Sequence, residues 1–102
     1  MKLEFYSENK LKKEILEIVS KHLNISRYKI FFFGSRVNGD NFPRADIDIG
    51  IEGPEKLPIK AKLKIEEDLD NIPTLYKLEL VDFNTVSEKF QKEALKYIEY
   101  VK

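Results

Sequence analysis

The spacing of apolar positions changes along this chain, and the changes divide it into elements. From Asn9 to Leu23, Leu11, Ile15, Ile18 and Val19 recur at helical spacing with Lys12, Lys13, Glu14 and Glu17 around them, which predicts an amphipathic helix. Tyr28 to Phe33 is an unbroken aromatic and β-branched run, the pattern of a buried strand. Gly34 to Arg44 reads as a loop, with a short helical turn after Ser35. Ala45 to Ile51 alternates: Ile47, Ile49 and Ile51 fall on one strand face, and Asp46, Asp48 and Gly50 on the other. Gly53 and Pro54 stop that strand. A second helix is predicted over Pro58 to Leu69, with Ile59, Leu63 and Leu69 as core positions and Lys60, Lys62 and Lys64 as a solvated face. Tyr76 to Phe83 reads as a third strand. Thr85-Val86-Ser87-Glu88 reads as a capping box opening a last helix, whose apolar stripe is Phe90, Ala94, Tyr97, Ile98 and Val101. The order helix, strand, loop, strand, helix, strand, helix describes an α/β domain with a small sheet and flanking helices.

Composition narrows what such a domain does. With 102 residues, one domain spanning 1–102 is expected, and 42% apolar with 35% charged residues fits a globular protein rather than a disordered one. Eighteen basic residues meet eighteen acidic ones, so no global field draws the chain to nucleic acid or to a membrane, and neither partner is predicted. The absence of cysteine removes disulfides and thiolate zinc sites and fits a reducing compartment. No apolar run approaches the ~20 residues of a membrane span, and no signal-peptide pattern opens the chain; a cytoplasmic location is expected. The only histidine, His22, sits at a predicted helix end, where a packed or dipole-facing role is expected. Any metal must therefore be held by oxygen, which points to magnesium or manganese.

The chemistry-bearing residues gather between the first two strands. Gly34, at a strand end, permits unusual dihedrals and close backbone approach. Ser35 offers a hydroxyl, and the N–H groups that follow can form an anion-binding nest. Arg36 and Arg44 suit bidentate contacts to phosphate, while Gly39, Asp40 and Asn41 let the chain double back. Asp46 and Asp48 lie on one strand face ~6.5 Å apart along the backbone, close enough to converge on a metal. A phosphate-holding turn facing two carboxylates is what a nucleoside triphosphate and its cations require. Taken singly, a Gly-Ser after a strand is usually a turn, and a D-x-D in an alternating strand is often a wet face.

The stretch GSRVNGDNFPRADID resembles the signature of the minimal nucleotidyltransferases, small members of the DNA polymerase β-like superfamily. Gly34-Ser35, the ten residues Arg36 to Ala45, and Asp46-Ile47-Asp48 fit its spacing without a gap. Ala45 stands where many relatives have serine, which removes a hydroxyl but no ligand. The resemblance implies a polymerase β palm-like fold with a small mixed sheet, and Gly34, Ser35, Arg36 and Arg44 on the phosphates of ATP or another nucleoside triphosphate. It implies two magnesium ions, with manganese as the substitute, on Asp46, Asp48 and a third carboxylate from a later strand. Glu79 is the first choice for that carboxylate, because it alternates against Leu78 and Leu80; Asp82, which shares their parity, is the alternative. The family's setting implies transfer of AMP to a tyrosine of a partner HEPN-domain toxin, this chain acting as antitoxin.

Two other classes stand beside that reading. One is a binding module that keeps the fold and neutralises its partner by complex formation alone; a glutamate where relatives often have aspartate leaves room for it. The other is a magnesium-dependent phosphohydrolase of the haloacid dehalogenase type, which also uses D-x-D. That chemistry wants its aspartate at the end of the first strand and a later lysine motif, whereas here a Gly-Ser loop precedes the pair.

Overall fold

The computed structural model describes residues 3, 6–34, 37 and 46–102. Helix α1, Glu8–His22, starts where the Ser7 side chain accepts a hydrogen bond from the Lys10 N–H, with Glu8 in the first turn and Lys21 and His22 in the last, each on the favourable side of the helix dipole. A 3-10 turn, Ile25–Arg27, leads into strand β1, Lys29–Phe33. Strand β2 is Ile47–Glu52, helix α2 is Ile59–Asp70, strand β3 is Leu78–Asp82 and helix α3 is Glu88–Ala94. A two-residue strand β4, Glu99–Tyr100, closes the order.

The four strands form one mixed sheet in the order β3-β2-β1-β4. β1 runs antiparallel to both β2 and β4, while β2 and β3 are parallel and joined through α2. Alternation then sorts the side chains into two layers. Ile30, Phe32, Ile47, Ile49, Ile51, Leu78 and Leu80 pack with Leu11, Ile15, Ile18 and Val19 of α1 and Ile65 and Leu69 of α2 in the main core. Each such side chain contributes roughly 1.5–3 kcal/mol by leaving water. The opposite face carries a smaller aromatic cluster of Phe31, Phe33 and Phe83, with Val81, Val86, Ala94 and Ile98 against it. Gly50 lies beneath it because any Cβ there would strike the rings of Phe31 and Phe83.

Three expectations from the sequence need correction. Ile59 and Leu63 are not core residues; they are 71% and 60% exposed, and α2 buries Ile65 together with the expected Leu69. The helix carries two apolar stripes of different phase, and the sheet selects the one that continues to the buried Ile72. The cap of α3 is Ser87, not Thr85: the Ser87 hydroxyl accepts from the Phe90 N–H, and Thr85 Oγ1 donates to the Asp82 carbonyl. Lastly, α3 stops at Ala94. Ile98 packs on the aromatic cluster, Val101 enters the main core as its N–H bonds the Ile30 carbonyl, and Tyr97 is exposed.

His22 packs at the end of α1, its Nε2 2.8 Å from Asp68 Oδ2 of α2. No helix among the described residues is long and apolar enough to cross a membrane.

Candidate active site

The register of the sheet builds the site. Phe33 pairs with Asp48, and Asp48 pairs with Glu79, so these three side chains stand in a row on the face away from α1 and α2. The next row is Phe31, Gly50 and Val81. Both carboxylates are half-buried, at the open end of the face where β1 gives way to Gly34. Gly34 has φ of 89°, a conformation that a side chain strains, and a Cβ there would collide with the Asp48 carboxylate. The chain can bend over Asp48 only because Gly34 lacks one.

Burial, then the neighbouring charges of Glu79 and Asp46, push the Asp48 carboxyl up to about 6. Asp46 lies one residue ahead of β2 and is exposed. Glu79 Oε1 is 3.3 Å from Lys77 Nζ, an ion pair at the exposed edge of β3. Among the described residues no three acidic or imidazole groups are gathered closely enough to cage an ion. The set nonetheless fits a hard divalent cation. Its donors are oxygens, and the carboxyl at its centre is short of positive charge.

Asp82 stands elsewhere. It is buried on the helix-facing side of β3, where Oδ2 accepts from the Leu57 N–H at 2.8 Å and Oδ1 from the Asn84 N–H at 2.9 Å. Both oxygens hold the loops that flank β2 and β3, and neither faces Asp48. Of the phosphate-binding residues expected from the sequence, Gly34 lies beside Asp48, whereas Ser35, Arg36 and Arg44 lie outside the described residues, as does the helical turn expected after Ser35.

One part of the site was not anticipated. A cleft of about 510 Å³ is lined by Phe33, Gly34, Asp48, Glu79 and Val81 from the sheet and by Phe90, Glu93 and Ala94 from α3. Gln91 fixes α3 over the sheet, since its amide donates to the carbonyls of Phe83 (2.9 Å) and Val86 (3.2 Å). Strand parity could have nominated Phe33 and Val81, which share the face of Asp48 and Glu79. Nothing local in the sequence places α3 above them.

Comparison with known proteins agrees with this geometry. A profile of the family described as polymerase beta, nucleotidyltransferase, matches residues 7–101. The chain is 29% identical over 89 residues to a protein of Haemophilus influenzae described as "probable protein adenylyltransferase MntA", covering 85% of this chain and 78% of that one. Among solved structures, the fold is similar to a chain of a toxin–antitoxin complex with AMP-PNP, with a TM-score of 0.72 at 19% identity over 89% of this chain and 72% of that one. It is also similar to a chain of the complex between the tri-AMPylated HEPN toxin of Shewanella oneidensis and its MNT antitoxin, with a TM-score of 0.67 at 17% identity over 94% of this chain and 72% of that one.

Proposed function

The chain belongs to the polymerase beta nucleotidyltransferase family, and on that premise we propose that it transfers AMP from ATP to a tyrosine hydroxyl of a partner HEPN toxin, and so acts as an antitoxin. The observation that carries this reading is the pairing of Asp48 with Glu79 on an open sheet face, directly beside the Gly34 bend. The relative from Haemophilus influenzae and the two toxin–antitoxin complexes support an adenine nucleotide as substrate and a HEPN toxin as partner, while the tyrosine acceptor rests on the resemblance to the minimal nucleotidyltransferases.

In this reading Asp46, Asp48 and Glu79 would hold two magnesium ions, which would supply positive charge to offset the triphosphate and acidify the acceptor hydroxyl. The backbone after Gly34, the Ser35 hydroxyl and the guanidinium groups of Arg36 and Arg44 hold the phosphates. The tyrosine Oη bonds to the α-phosphorus as the bond from that phosphorus to the β-bridging oxygen breaks. Pyrophosphate leaves, and the phenol proton passes to the Glu79 carboxylate. Glu79 must leave Lys77 to do this, which a surface ion pair permits at a cost of under about 1 kcal/mol.

That same ion pair is the observation favouring the second reading, a fold that binds the toxin without modifying it. Incubation with the partner toxin, magnesium and ATP labelled at its α-phosphate separates the two. Label on the toxin, lost with Asp46→Ala plus Asp48→Ala, supports transfer; a stable complex that never takes label supports binding alone.

A further inference from the structure

The cleft has two ends of different chemistry. Asp48, Glu79 and Gly34 form one; Phe33, Val81, Phe90 and Ala94 form an apolar wall leading away from it, with Glu93 at its rim. We propose that this wall is the acceptor subsite, seating the ring of the tyrosine to be modified, and that Glu93 selects acceptors with a basic residue beside that tyrosine. The inference rests on the proposed transfer reaction and says where its second substrate binds.

Three observations lead to it. First, Phe90 is held in an unusual way. It sits on a short surface helix and meets Phe33 and Phe83 edge to face, with ring centroids 6.0 and 5.9 Å away, yet it remains 41% exposed. Its unpaired surface faces the cleft, where another aromatic ring would complete the cluster. Second, every polar side chain on the described lining is a carboxylate: Asp48, Glu79 and Glu93. A phenol asks for nothing else, because its ring needs apolar contact and its hydroxyl donates to a carboxylate. An adenine ring could donate its amino group to one of these carboxylates, but its ring nitrogens would find no side-chain donor on the described lining. Third, the wall adjoins both carboxylates: Phe33 is paired with Asp48, and Val81 follows Glu79 by two residues on the same face of β3, so a hydroxyl entering along the wall reaches Glu79, the proton acceptor, at its end.

Glu93 adds selectivity. It is on α3 one turn beyond Phe90, and among the described residues it pairs with Lys96 at 3.1 Å, an exposed i,i+3 pair that an incoming guanidinium can displace. An arginine or lysine next to the acceptor tyrosine would meet that carboxylate at the mouth of the cleft. An acidic neighbour would meet the like charge of Glu93 there.

Steady-state transfer tests this, using the partner toxin and tyrosine peptides flanked by arginine or by glutamate. Phe90→Ala is expected to raise the acceptor KM roughly tenfold while the ATP KM stays within about twofold, the pattern of a lost aromatic anchor. Phe90→Leu, which keeps apolar bulk, should restore most of that loss and guards against a folding defect in the alanine variant. Glu93→Lys should erase or invert the preference for arginine-flanked peptides. A rise in the ATP KM instead would assign the wall to the nucleobase and overturn the proposal. Labelled acceptor from wild type with an unchanged acceptor KM in Phe90→Ala would overturn the subsite alone. No labelled acceptor from wild type would remove the transfer reaction and the subsite with it.

Discussion

Gly34 and Asp48 compete for one space: a Cβ on Gly34 would lie inside contact distance of Asp48 Oδ2. Gly34→Ala therefore pays twice, for a φ of 89° and for displacing a carboxylate that needs a fixed position. Its expected cost is about 1–3 kcal/mol in urea denaturation, with transfer activity reduced well beyond the unfolded fraction. The penalty should shrink in an Asp48→Ala background, because part of the clash is gone. Equal penalties in both backgrounds would show that the two residues do not share the space.

The Asp48 carboxyl supplies a pH signature. Its folded pKa of about 6 lies above the ordinary value of 3.8, so the native state holds this proton more tightly than the unfolded chain does. The contribution is complete below about pH 4 and is lost as pH rises through 6. Melting of the metal-free protein should show this decline, Asp48→Asn should flatten it, and magnesium should offset it above pH 6 in wild type only.

Glu79 and Asp82, three residues apart on one strand, should separate stability from activity. Asp82→Ala removes two hydrogen bonds to buried or half-buried backbone N–H groups and should cost about 3 kcal/mol in denaturation while leaving activity per folded molecule intact. Glu79→Gln should do the reverse, with melting unchanged and transfer reduced roughly 100-fold or more. Asp82→Ala with a full loss of activity in folded protein would reassign the third carboxylate.

Lys77 gives a subtler test. Its pair with Glu79 competes with any cation for the same carboxylate. Lys77→Met should tighten magnesium binding measured by calorimetry while shifting stability by less than about 1 kcal/mol. Weaker magnesium binding would mean that Lys77 orients Glu79 rather than holding it back.

Much of this architecture is legible along the chain, for a physical reason. A strand with one packed face must alternate, so Ile47, Ile49 and Ile51 set the register that brings Asp48 level with Glu79. Parity likewise places Glu79 on the open face and Asp82 on the packed one. Where two local patterns are equally good, tertiary packing decides. In α2, Ile59 and Leu63 offer as regular a stripe as Ile65 and Leu69, and only the sheet distinguishes them. Strand β4 is two residues long and follows a stripe that continues the periodicity of α3, so no local signal marks it. The wall formed by Phe90 and Ala94 depends on α3 folding back over the sheet, where Phe90 meets Phe33 from far along the chain while Gln91 ties the helix to the turn before it.

The most direct test of the account is transfer from α-phosphate-labelled ATP to the partner toxin in the presence of magnesium, with the modified residue located by mass spectrometry. AMP on a toxin tyrosine, formed by wild type and absent with Asp46→Ala plus Asp48→Ala, is the predicted result. A toxin that binds this chain stably and is neutralised, yet gains no label with wild type, would contradict it.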